Sequence, residues 1–245
     1  MEILVISIIC FCGAFVQALI GFGYAVFVTP LVALVLGPKA AIAFSIVTST
    51  ITSYLLFFQR GAYSELRNVS LLALIAVLGT PIGIYFLFYF NEDLLRFLIS
   101  IAIFISAFVT LRKSNIGKRS DSNVIKFFVG LLSGIMRGTV SMGGPPVVIY
   151  QNWIENDPDV IRSRMYAFFA LISPIGIFFL IPSGLIDMSI IKLVPLSALF
   201  ILLGVLIGSK FRGGISPAIF RFLTMFLLFA ISIIGVVNTL LIWFD

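Results

Sequence analysis

The sequence contains no histidine, only two cysteines and just 11% charged residues. Each scarcity narrows what the chain can do. Without histidine it lacks the commonest general base and the commonest metal ligand, which argues against a membrane metalloprotease or a haem protein. Cys10 and Cys12 stand two apart in a predicted helix, so their side chains diverge and no disulfide between them is expected. Carboxylates are missing from the apolar stretches: Glu65, Glu92, Asp93, Glu155, Asp157, Asp159 and Asp187 all fall in or near predicted loops. No buried acid for proton coupling is evident, nor a carboxylate sodium site. No metal site and no cofactor is expected, and the shortage of soluble loops and embedded acids argues against an enzyme.

What is present is apolar. Soluble domains carry roughly a quarter charged residues, whereas 61% of this chain is hydrophobic. Runs of about 20 apolar residues, the length that spans a hydrocarbon core as helix, recur throughout. The expected class is an all-α polytopic membrane protein. Met1-Glu2-Ile3-Leu4 has no positive region of the kind that opens a cleaved signal peptide, so the first segment is expected to be retained. The net charge of +6 comes from basic residues in short loops, which read as topology signals and not as a nucleic-acid surface.

The apolar segments are 3–36, 40–58, 68–90, 94–111, 124–154, 163–182, 189–209 and 217–238. The first and fifth are too long for one crossing, at roughly 50 Å as single helices. Each is interrupted by glycine, in "LIGFGYAVF" and in "TVSMGGPPVV". If both cross once, the positive charges divide eight to seven between the sides. If both are hairpins, Arg60, Arg67, Arg112, Lys113, Lys118, Arg119, Lys126, Arg162, Arg164, Lys210, Arg212 and Arg221 share one side. Only Lys39, Arg96 and Lys192 then lie opposite, a division of twelve to three. That asymmetry favours two re-entrant hairpins plus six spans, with both termini outside.

The halves also repeat. "LGTPIGIYFLFYFNEDLLRFL" from Leu78 and "LGVLIGSKFRGGISPAIFRFL" from Leu203 match at an offset of 125, and the glycine breaks pair at 121, Gly13 with Gly134 and Gly23 with Gly144. One hairpin plus three spans is an odd number of crossings, so the copy must be inverted, an arrangement that recurs in secondary transporters. The expected organisation is a first repeat over 1–111, a basic cytoplasmic linker over 112–123 and a second repeat over 124–245. The linker reads as an inside anchor that could also touch anionic lipid.

A backbone turned inside a membrane leaves N–H groups unpaired unless protein or a water-filled cavity covers them. The second legs, beginning near Tyr24 and Pro145, would present free N–H groups and a positive helix end, a ready anion site. Proline suits such a first turn. Arg137, flanked by apolar residues and with no acid nearby in sequence, is the sharpest single candidate, because a lone guanidinium in a bilayer usually faces a pathway. Its fork can hold an oxyanion. Snorkelling or a distant acid is the alternative. Gln17 occupies the corresponding part of the first hairpin. The candidate binding set is Gln17, Gly21, Phe22, Gly23, Tyr24, Arg137, Ser141, Gly143, Gly144, Pro145 and Pro146. Ser45, Thr48, Ser49 and Thr52 share one helical face and could line a path, or merely bond back to their own backbone. Tyr150 is a weaker candidate that an interface position would equally explain.

The paired motifs "QALIGFGYAVFVTPL" and "GIMRGTVSMGGPPVVIY", with four apolar segments on each side of a basic linker, resemble the TauE/SafE-type sulfite exporter family over essentially the whole chain. The resemblance implies a carrier in a bacterial or archaeal inner membrane that moves small sulfur-containing anions such as sulfite or sulfoacetate, usually outward. The residues alone reach an anion-preferring carrier, with a channel-like anion pore or a carrier of a non-sulfur organic anion as rivals. The expected partners are a small anionic substrate and membrane lipid. A homo-oligomer and a coupling ion such as a proton stay open.

Overall fold

A computed structural model of the chain describes residues 2–111 and 121–211, with side chains to residue 106 in the first stretch. The expected last span, 217–238, and most of the basic linker lie outside the described residues. Every regular element among the described residues is helical. In order these are α1 (Glu2–Ile20), α2 (Tyr24–Leu36), α3 (Pro38–Arg60), α4 (Leu66–Tyr89), α5 (Glu92–Leu111), α6 (Asn123–Val140), α7 (Gly144–Ile154), α8 (Pro158–Leu180) and α9 (Met188–Phe211), with single 3₁₀ turns before α4 and after α8. Proline opens α3 and α8, where its missing N–H costs nothing. Asp157 caps α8 by accepting from the Asp159 amide at 2.8 Å. Gly61, at φ 58°, ends α3.

Six helices among the described residues are long and apolar enough to cross a membrane: α1, α3, α4, α6, α8 and α9. The molecule is an all-α, multi-pass membrane protein. Large apolar side chains such as Leu74, Leu78, Phe128, Phe178 and Leu199 stand more than half exposed on its outside. Lipid is their natural solvent. Pro30, Pro81, Pro174 and Pro195 lie within helices, a frequency that membrane bundles tolerate because neighbours re-satisfy the freed carbonyls.

The two most extensive helix pairs are α4 with α6 and α1 with α9. Glycine explains both, because small residues let backbones approach when lipid offers no hydrophobic drive. A Cβ added at Gly79 would lie 2.5 Å from the Leu131 carbonyl oxygen, and one at Gly83 would run into that of Ile135. In the other pair, Gly204 and Gly208 meet the Phe11 and Phe15 carbonyl oxygens at 2.5 and 2.8 Å. Contacts advance in the same direction along both members of each pair, so α4 runs parallel to α6, and α1 to α9.

These contacts set the register of the halves. Phe11, Ala14, Phe15 and Ala18 occupy the places of Leu131, Gly134, Ile135 and Gly138, an offset of 120. Helices α2 and α7 begin 120 apart, as do α3 and α8. The offset of 121 expected from matching glycine to glycine is therefore corrected by one residue. Further on, Gly79 and Gly83 approach the α6 backbone as Gly204 and Gly208 approach that of α1, an offset of 125.

Polar contacts collect at the two ends of the bundle. At one end Arg164 on α8 pairs with Glu65 at 2.9 Å and Glu155 at 3.4 Å, and Arg60 donates to the Ser209 carbonyl at 3.1 Å. Tyr150 there donates to Asp121, which also pairs with Lys126 at 2.7 Å. Burial pushes the Asp121 carboxyl up, but these two hydrogen bonds prevail and hold it below its ordinary range. At the other end Lys39 donates to the Phe88 carbonyl at 3.3 Å, and Gly37 faces Glu92.

Candidate functional site

Both breaks reverse the chain. At the first, the Gly21 amide donates to the Gln17 carbonyl at 2.8 Å, and Gly21 and Gly23 adopt φ of 96° and 107°. Those angles favour glycine. Helix α2 then returns along α1, so that Gly13 faces Val28 and Tyr24. At the second break the Ser141 amide donates to the Arg137 carbonyl at 2.9 Å. The left-handed residue here is Ser141, at φ 66°, the only non-glycine with positive φ among the described residues. A serine held there is a strained feature of the kind that collects at functional sites. Gly143 is right-handed, and it is needed instead for close approach, since a Cβ would lie 2.7 Å from the Ser133 carbonyl oxygen. Ser133 donates to the Gly143 carbonyl at 2.5 Å and pins the turn. Gly21 and Ser141 thus do the same job 120 residues apart.

The breaks meet. Phe22 packs on Gly144, and together the two segments line most of a cavity of about 20 Å³, room for about one water. From the first break it is lined by Gln17, Phe22, Gly23, Tyr24, Ala25 and Val26; from the second by Arg137, Ser141, Met142, Gly143 and Gly144. Ser49 and Ser53 of α3 and Phe169 of α8 complete it. Gly23 provides no side-chain cap to α2. Helical geometry leaves the amides of Gly23, Tyr24, Ala25 and Val26 without intrahelical acceptors, and all four residues line the cavity. Helix α7 is poorer in donors, because Pro145 and Pro146 carry none. The positive end of the α2 dipole adds to the same field.

Arg137 is 1% exposed, which rules out snorkelling to a surface. One terminal nitrogen donates to Ser173 Oγ at 3.1 Å and reaches Ser49 Oγ at 3.5 Å. Its Nε has no partner, and no carboxylate pairs with it among the described residues. The Tyr24 hydroxyl and Ser141 Oγ are also buried without a partner; Tyr24 Oη lies among Cys10, Thr48 and Thr52 without a well-formed hydrogen bond. Buried polar groups are nearly always satisfied. Arg137 and Ser141 thus bring two buried, incompletely satisfied polar groups to one cavity, one of them cationic.

Of the residues expected to bind, Gln17, Phe22, Gly23, Tyr24, Arg137, Ser141, Gly143 and Gly144 line this cavity. Three do not. Gly21 packs on Arg162, which lies 3.0 Å from where its Cβ would stand, and Pro145 and Pro146 are buried in the first turn of α7. Of the hydroxyl stripe only Ser49 reaches the lining; Thr48 and Thr52 bond back to carbonyls one turn earlier, at 2.8 and 3.1 Å, and Ser45 is buried elsewhere. Tyr150 is held away by its bond to Asp121. Sequence reasoning missed Ser53, Phe169 and Ser173. The 120-residue register would have found a pair among them, since Ser53 and Ser173 stand at corresponding positions of α3 and α8.

A family model described as "Sulfite exporter TauE/SafE" matches residues 6–234. No curated protein and no solved structure matches the chain.

Proposed function

Since the chain belongs to the sulfite exporter TauE/SafE family, we propose that it is a secondary transporter of a small sulfur-containing anion, bound between the two helix breaks. The observation that carries this reading is Arg137, fully buried with an unpartnered Nε and no acidic partner among the described residues, beside the uncapped amides of α2. A guanidinium fork and convergent N–H groups complement the oxygens of a sulfite or sulfonate. Gln17 supplies a neutral amide to the same lining.

Transport is by alternating access of two inverted repeats. Supporting this are the 120-residue register, the parallel α1–α9 and α4–α6 pairs, and hairpins that begin at opposite ends of the bundle. A cavity with room for about one water is smaller than a sulfite or sulfonate, so binding such an anion requires the breaks to move apart. The twelve-to-three division of basic charge supports an orientation with both termini outside and the Arg164 end cytoplasmic, and family membership supports a bacterial or archaeal inner membrane.

The test is flux into proteoliposomes. Sulfite or a simple sulfonate should be taken up with saturable kinetics and should show counterflow against internal substrate. Flux that rises linearly without counterflow would identify a pore, and saturable flux of carboxylates alone would remove the sulfur assignment.

A further inference from the structure

The charge inventory of the cavity goes beyond the presence of an anion site. Among the described residues, Arg137 is the only ionised one in the lining, and no acid lies there to offset it. The 120-residue register places Gln17 where the second half carries Arg137: each accepts, through its carbonyl, from the left-handed residue four positions on. Gln17 is 3% exposed and lines the same cavity as the guanidinium. One half of the site therefore contributes a charge and the other, at the same structural position, a neutral amide. Ser53 in the lining and its counterpart Ser173, which accepts from Arg137, add hydroxyls and no charge.

Resting on the anion-site reading, we propose that the cavity selects monoanions over dianions of the same shape, and that Gln17 sets this limit by replacing a second cation with an amide. A sulfonate or hydrogensulfite carries one negative charge, which the guanidinium balances. A sulfate or sulfite dianion would bring a second charge that no residue of the described lining balances, and an unpaired buried charge is costly. No nearby group changes this balance near neutral pH. Arg162 lies beside Gly21, but Asp159 pairs with it at 2.7 Å. The other titratable side chains near this end of α2 are the Tyr24 phenol and the Cys10 thiol beside it.

The experiment compares ligands that differ in charge and hardly in shape, using purified full-length protein. Methanesulfonate stays a monoanion across neutral pH, whereas methylphosphonate loses its second proton there. Methanesulfonate should bind at least tenfold more tightly than sulfate. Methylphosphonate affinity should fall as pH rises from 6 to 9, while methanesulfonate affinity holds. Sulfate binding as tight as methanesulfonate, or methylphosphonate affinity that is flat or rises with pH, would overturn the charge limit and leave the anion site standing. No binding by any of the three would overturn the site itself. Gln17→Arg should raise sulfate affinity relative to methanesulfonate by tenfold or more; an unchanged ratio in folded protein removes Gln17 from the proposal. Should that variant not fold, Gln17→Glu gives the opposite sign and should abolish binding of both anions, and retained binding would count equally against Gln17.

Discussion

Replacing Arg137 with glutamine separates a binding role from a structural one, because the two roles predict opposite effects on stability. The wild-type guanidinium is 1% exposed, holds only hydroxyls at 3.1 and 3.5 Å, and leaves Nε unpaired. A charge buried that way works against the fold, so Arg137→Gln should melt at the same temperature as wild type or higher. Function should move the other way. An anion on the fork gains two charge-assisted hydrogen bonds of about 1.5–3 kcal/mol each. Their loss amounts to about 3–6 kcal/mol, or roughly 10²- to 10⁴-fold in affinity. Arg137→Lys keeps the charge without the fork and should fall between. The assay pairs thermal unfolding in detergent with uptake of sulfite or methanesulfonate into proteoliposomes, read as kcat/KM. Wild-type kinetics in folded Arg137→Gln would refute the binding role. A large fall in melting temperature would show that the guanidinium holds the helices together instead.

Two other predictions concern the frame around the site. Gly83→Ala and Gly208→Ala each force a methyl group onto a neighbouring backbone, at Ile135 and at Phe15, and should each cost about 1–3 kcal/mol despite the helix preference for alanine; an unchanged or raised melting temperature would contradict the close packing of α4 on α6 and α1 on α9. Cysteines introduced at Lys39 and Arg162 should react with an impermeant thiol reagent from opposite sides of the membrane, and labelling of both from one side would break the hairpin topology.

Much of this was legible without coordinates because hydrophobic length and glycine interruption are local signals. The expected interruptions at Gly21 to Gly23 and at Ser141 to Gly144 coincide with observed helix breaks, and α2 and α7 start where free amides were expected. The register was harder. Glycine matched to glycine gives an offset of 121, whereas the backbone pairs Gly21 with Ser141 at 120, because a serine takes the left-handed turn in the second half. Nothing local in the sequence announces a serine at positive φ. The hydroxyl stripe on α3 was ambiguous for a similar reason: Thr48 and Thr52 satisfy themselves one turn back, and only the packing distinguishes them from Ser49 and Ser53.

The sequence by itself determined that the chain lives in a membrane, that its two long apolar segments break, and that one arginine sits where no acid is near. These follow from transfer energies and backbone sterics, which act over a few residues at a time. Tertiary structure decided which of those features converge. Arg137 meets Ser173 36 residues away and reaches Ser49 88 residues away, and Phe22 meets Gly144 across the two halves. Such meetings depend on how closely α4 approaches α6 and α1 approaches α9. That distance is a balance of packing over whole helices, which no short stretch of sequence carries.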